Sequence, residues 1–139
     1  MEITANAIQT VAEGTNVQFT DTVTSGNCSI LHREGSGLVT LRGLTNQFRA
    51  RFRVSFGGNI AIPTGGTVEP ISLALAINGE PVATTTMIST PAAVEEFNNV
   101  FSAIFLDVPR GCCSQISVRN LSGQDIEVQN ANLIIERVA

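Results

Sequence analysis

The sequence has no lysine, no tryptophan and no tyrosine, and all eight of its basic residues are arginine. Charged residues make up only 14% of the chain, against about 25% in an ordinary globular protein. With a formal net charge of −4, there is no basic footprint of the kind that nucleic acid or an anionic membrane requires, so neither is an expected partner. One histidine and three cysteines without C-x-x-C spacing supply no zinc site, and no metal or other cofactor is expected. The longest apolar stretches, such as 73–77, are strand-sized, far below the roughly 18 residues of a membrane-spanning helix. Residues 1–6 carry neither the basic nor the apolar region of a secretory signal, and the expectation is synthesis in a cytoplasm and, for a role outside the cell, release by lysis or a non-classical route.

What is present is apolar and turn-rich. Hydrophobic residues are 43% of 139, which excludes disorder. A chain of this length buries roughly 70% of its extended surface in one core. A small domain with so little charge has a large uncharged surface, as a subunit covered by copies of itself would show.

The periodicity is that of strands. In residues 47–56, Phe48, Ala50, Phe52, Val54 and Phe56 fall on one face and Arg49, Arg51, Arg53 and Ser55 on the other, with Gly57-Gly58 expected to end the strand. Shorter strands are expected at 17–21, 28–32 and 38–42. Residues 71–77 lead into Asn78-Gly79, the dipeptide of a type I′ hairpin, and on to a strand at 82–89. Residues 100–108 place Phe101, Ala103, Phe105 and Asp107 on one face, and strands at 115–119 and 126–138 complete the chain. Only 91–97 reads as helical, with Pro91 at the first helical position and acids in the first turns. The fold class is all-β: a single-domain jelly-roll sandwich of about eight to ten antiparallel strands, with one short helix near 91–97. Residues 1–10 form an N-terminal arm or edge strand, and 11–139 the jelly-roll domain.

Enzymatic signatures are missing. His32 has no nucleophile-elbow motif beside it, so it reads as a structural or interface residue. Glu95 and Glu96 are adjacent, point different ways, and make no acid/base couple. Gly57-Gly58 and Gly65-Gly66 lack the lysine and helix of a phosphate loop. Catalytic residues are therefore not expected. Cys28, Cys112 and Cys113 either pack as reduced thiols or, in an oxidising medium, form a disulfide from Cys28 to one of the pair or between subunits. Arg49, Arg51 and Arg53 repel one another on one strand face, so carboxylates must stand opposite; Glu127, Glu136 and Asp125 are the candidates, with a partner's acidic surface as the other reading.

Taken in order, VQFTD at 17–21, the aromatic strand 48–56, ISLALAING at 71–79, FLDVP at 105–109 and ANLIIER at 131–137 resemble the tumour-necrosis-factor-like and complement-head-like jelly rolls, over roughly residues 7–138. More narrowly, GLVTLRG at 37–43, TPAAV at 90–94, DVPRGCC at 107–113 and VQNANLIIERV at 128–138 resemble small proteins of gut Firmicutes and their phages, often near virion structural genes. The resemblance implies a tight homotrimer, with apolar and aromatic side chains meeting at a threefold axis. Phe48, Phe52, Phe101 and Phe105 are the candidates for that trimer interface.

No Gly-X-Y stalk precedes the head, as it does in collagen-capping relatives, so a virion role is favoured over a spore-surface one. The leading expectation is a non-enzymatic phage structural protein, a trimeric capsid decoration or head-fibre protein. It would be made in the bacterial host cytoplasm and displayed on the virion exterior, with the major capsid protein or another virion component as partner. Met1, Glu2, Ile3 and Thr4 are the candidate capsid anchor. The alternative is a trimeric carbohydrate- or receptor-binding head of viral or bacterial surface origin. Against it stands the lack of tryptophan and tyrosine stacking platforms.

Overall fold

In the computed structural model, which describes residues 1–26, 28–111 and 113–139, the arginine–phenylalanine alternation becomes the longest strand, β6 (Arg49–Ala61). Ala50, Phe52, Val54 and Phe56 turn inward and are fully buried. Twelve strands occur among the described residues. The others are β1 (Glu2–Ala5), β2 (Gln9–Val11), β3 (Asp21–Thr24), β4 (Ile30–His32), β5 (Val39–Arg42), β7 (Ile71–Ile77), β8 (Glu80–Pro81), β9 (Met87–Ser89), β10 (Asn98–Pro109), β11 (Cys113–Asn120) and β12 (Ile126–Arg137).

They form two antiparallel sheets. The first runs β10-β6-β12-β1-β3, with β2 also on β12; the second runs β4-β5-β11-β7-β8, with β9 also on β7. The core lies between them. Phe56 of the first sheet meets Phe19 edge-on at 6.3 Å, and Phe19 in turn meets the ring of His32 at 6.4 Å. Full burial of each such side chain contributes about 1.5–3 kcal/mol.

Five expectations are corrected. The strand expected at 82–89 forms only at its end, as β9, because Ala83–Thr85 makes a 3-10 turn in which the buried Thr85 hydroxyl donates to Val82 O at 2.7 Å. Gly57-Gly58 does not end β6, because β10 and β12 hydrogen-bond it from both sides: Gly57 pairs with Phe101 and with Asn132. β12 accommodates the passage by a register shift between Gln129 and Asn132, with Asn130 at φ 55°. Residues 91–97 form a turn and not a helix. There Glu95 adopts φ 61°, gives its N–H to Ile62 O at 2.8 Å, and accepts Thr64 N–H and Oγ1–H at 3.0 and 2.8 Å. Contacts with the 63–66 loop thus outweigh the local helical preference.

At 17–20 the chain forms no strand, its amides donating outside the ladders, Val17 to Val118 O and Phe19 to Ser36 O, and only Asp21 belongs to a strand, the start of β3. Residues 1–5, finally, are neither a free arm nor an edge. β1 is an interior strand between β12 and β3, Ile3 is fully buried, and the N-terminal amine donates to Ile135 O at 2.6 Å. The 78–79 hairpin turn forms as the sequence predicts, with Asn78 at φ 52° and Gly79 at φ 84°, both positive as a type I′ turn demands.

Candidate interaction surface

The outer face of the first sheet can be read row by row from the strand register. One row is Phe101, Gly57, Asn132 and Thr4; the next is Ala103, Ser55, Ile134 and Glu2; the third is Phe105, Arg53 and Glu136; the last two are Asp107 with Arg51, and Pro109 with Arg49. Phe101 is 64% exposed, Phe105 67% and Ile134 41%. The first two rows present Phe101 and Ala103 on an edge strand, Gly57 and Ser55 beside them and Ile134 beyond, and the third adds Phe105 beside the Arg53–Glu136 ion pair. Asn59 and Asn99, hydrogen-bonded to each other at 3.2 Å, bound this strip at one end, and the charged rows bound it at the other. Apolar surface framed by polar residues is the form of an association site.

The charged rows are an ion-pair ladder. Arg49 Nε stands 3.0 Å from Asp107 Oδ2, and Arg51 donates to both Asp107 oxygens at 2.8 and 3.3 Å. Arg53 Nη1 lies 3.6 Å from Glu136 Oε1. The hydrogen bonds from Arg51 hold the Asp107 carboxyl below the usual carboxylate range, and the same contact pushes the Arg51 guanidinium up. Of the expected ladder partners only Glu136 serves. Asp125 instead accepts the Glu13 N–H at 3.1 Å, and Glu127 lies beside Glu95. Desolvation, reinforced by the Glu95 carboxylate, raises the Glu127 carboxyl, whereas hydrogen bonds from Thr64 lower that of Glu95. Asp107 was hidden from sequence reasoning because only the β6–β10 register sets it across from Arg51.

Beyond the ladder, where the 43–48 loop meets the end of β10, a cleft of about 600 Å³ is lined by Asn46, Gln47, Phe48, Arg49, Asp107, Pro109 and Arg110. Its walls are tied together: Arg110 N–H donates to Phe48 O at 3.1 Å, and Gly111 N–H to Gly43 O at 3.2 Å. Only glycine fits at 43, since a Cβ there would overlap the carbonyl of Pro109.

The four interface candidates therefore separate. Phe52 is 0% exposed and belongs to the chain's own core, so its place in a subunit interface is corrected: its side chain projects from β6 between the sheets. Phe101 and Phe105 lie on the open face, and Phe48, 86% exposed, at the cleft beyond it. Met1, Glu2, Ile3 and Thr4 are held in the interior strand and its start, which removes the premise of an anchor free before docking. Cys28 and Cys113 are free, exposed thiols. β5 stands between them, since Arg42 pairs with Cys113 on one side and gives its N–H to Ser29 O on the other. The strands on either side of β5 are roughly 9–10 Å apart, and the two thiols are unbridged in this structure. Cys112 lies outside the described residues. His32 is half-buried, with Nε2 3.0 Å from Ser36 O and Nδ1 buried without a hydrogen-bond partner among the described residues. Among those residues no cluster of three or more His, Cys, Asp and Glu side chains could hold a metal ion.

No family model matches the chain, and no curated protein matches it in sequence. Solved structures do match. Eiger TNF from S. frugiperda aligns over 100% of this chain and 92% of its own at a TM-score of 0.70 and 12% identity. The globular domain of zebrafish complement 1qA protein aligns over 96% and 93%, with a TM-score of 0.63 and 12% identity. Murine APRIL, at pH 5.0, aligns over 91% and 95%, with a TM-score of 0.58 and 11% identity. The fold is the TNF-like, complement-head-like jelly roll. Within this jelly roll, the sheet that carries the exposed Phe101 and Phe105 is β10-β6-β12-β1-β3.

Proposed function

We propose that this chain is a non-enzymatic structural subunit, a homotrimer that decorates the capsid or forms the head of a fibre on a phage virion. The observation that carries the proposal is the open strip of Phe101, Phe105, Ala103 and Ile134 on the first sheet. On the edge strand β10, Phe101 stands beside Gly57, Ala103 beside Ser55 and Phe105 beside Arg53. Covering this strip with copies of the same chain takes its two phenylalanines out of water. The low charge of the whole chain, and the jelly-roll likeness that implies a trimer, support the same reading. Three copies around one axis match a threefold point of an icosahedral lattice and let three weak contacts add into firm attachment. With residues 1–5 committed to the sheet, the capsid contacts fall to the loops at one end of the trimer.

Quantitative mass spectrometry of gradient-purified virions from the source culture tests this. A fixed, high copy ratio to the major capsid protein is the expected result. A few copies per particle would move the subunit from decoration to a fibre head. Absence from virions, with the protein on cells or in the medium, would overturn the virion reading.

A further inference from the structure

The cleft at the end of β10 lies outside the apolar strip and has its own chemistry. Phe48 is the most exposed large apolar side chain of the described residues at 86%, and it lines the cleft together with Pro109. An open phenylalanine forgoes the gain of burial, so a ligand with a flat apolar face gains from covering it. Charge adds direction. Arg49 and Arg51 share the single carboxylate of Asp107, and Arg110 makes no ion pair among the described residues. The cleft is thus lined by two arginines, Arg49 and Arg110, and by one carboxylate already held by Arg49 and Arg51, on a chain whose net charge is −4. The amides of Asn46 and Gln47 complete the lining with groups that can both donate and accept hydrogen bonds. The wall is fixed before any ligand arrives, by the Arg110–Phe48 and Gly111–Gly43 hydrogen bonds.

We propose that this cleft binds a carboxylated sugar residue of a surface polysaccharide, a uronate or sialate. The pyranose face stacks on Phe48, the carboxylate takes the unpaired charge of Arg110, and the hydroxyl groups meet Asn46 and Gln47. Stacking on a ring explains why an exposed phenylalanine serves here without tryptophan or tyrosine. Carboxylate recognition by a guanidinium is the strong, directional contact of the site. Every residue comes from one chain, so the inference stands apart from the virion assignment and from the trimer.

The experiment titrates the whole protein by calorimetry with oligogalacturonate and with 3′-sialyllactose, and with the carboxyl-reduced form of each as the neutral control. Saturable binding of at least one acidic probe is expected, with loss of about tenfold or more on carboxyl reduction, and the same loss in Arg110→Gln and in Phe48→Ala. Thermal melting and solution mass of both variants, measured alongside, show whether the fold and assembly are intact. Should Phe48→Ala change the mass, Arg110→Gln and amide shift changes of the wild-type 46–49 and 109–111 segments carry the test. No binding of either acidic probe at millimolar concentration, equal binding of the reduced forms, or unchanged affinity in Arg110→Gln would each overturn the proposal.

Discussion

The two sheets turn different outer faces to water. On β10, β6 and β12 of the first, the register sets out Phe101, Ala103, Phe105, Gly57, Ser55 and Ile134, with ion pairs at one end. On β5, β11 and β7 of the second it sets out Thr40, Arg42, Cys113, Gln115, Ser117, Arg119, Ala74, Ala76 and Ser72, with no phenylalanine; Leu31 on β4 and Ile88 on β9 are its open large apolar side chains, one near each edge. Both inner faces are equally apolar, because both must close the same core. The difference therefore has nothing to do with folding the single chain. A face that serves only solvent has no use for two open phenylalanines, and their presence on one sheet alone marks the face where association gains most.

The sharpest way to break this comparison is to change the same residue type on the two sides of one sheet. Phe52→Ala, on the inner side, should lower unfolding free energy by about 3–5 kcal/mol in denaturant titration, because it leaves a cavity in the core. Phe105→Glu, on the outer side, should leave the monomer folded and reduce the solution mass to that of one chain. A similar charge placed on the other sheet, Gln115→Glu, should leave the mass unchanged. If Phe105→Glu and Gln115→Glu behave alike, the two faces are equivalent and the distinction fails.

A subtler contrast uses thiols. Cys113 is exposed on the second sheet and should alkylate at similar rates in assembled and dilute protein. A cysteine placed at Ala103 should be protected in the assembled form, as peptide-level mass spectrometry would read.

The smallest effect is the pH response of the carboxylates. Asp107 is held low by its arginines, so the stability it contributes is complete above the usual carboxylate pKa of about 4 and is lost as pH falls through its lower folded value. Glu127 is held high by desolvation and by Glu95, so the sign reverses. Its contribution is present below its ordinary pKa and lost as pH rises through the folded one. Melting curves across acidic pH should show Asp107→Asn slightly less stable than wild type at neutral pH, and Glu127→Gln slightly more stable.

The sequence could be read well where a residue's role is decided by its neighbours along the chain. The alternation in β6, the Asn78-Gly79 turn and the long final strand are of this kind, and two sheets follow from them. Roles decided across the chain could not be read so well. Period-two alternation separates Phe52 from Arg51 but does not say which of β6 and β10 turns its phenylalanines inward, so Phe52 and Phe105 look alike until the register is known. Asp107 becomes the partner of two arginines only through that register. The 91–97 segment has the composition of a helix start, yet the Glu95 carboxylate finds Thr64 across a loop and the turn forms instead. A polar start to the chain looks like a free arm until Ile3 is seen in the core.

The central claim is that the open face of the first sheet is covered by copies of the same chain. Multi-angle light scattering of the wild-type protein at micromolar concentration measures this directly. Three chains of 14.7 kDa give about 44 kDa, the value expected for a closed ring of three. A single monodisperse species at 14.7 kDa would contradict the account.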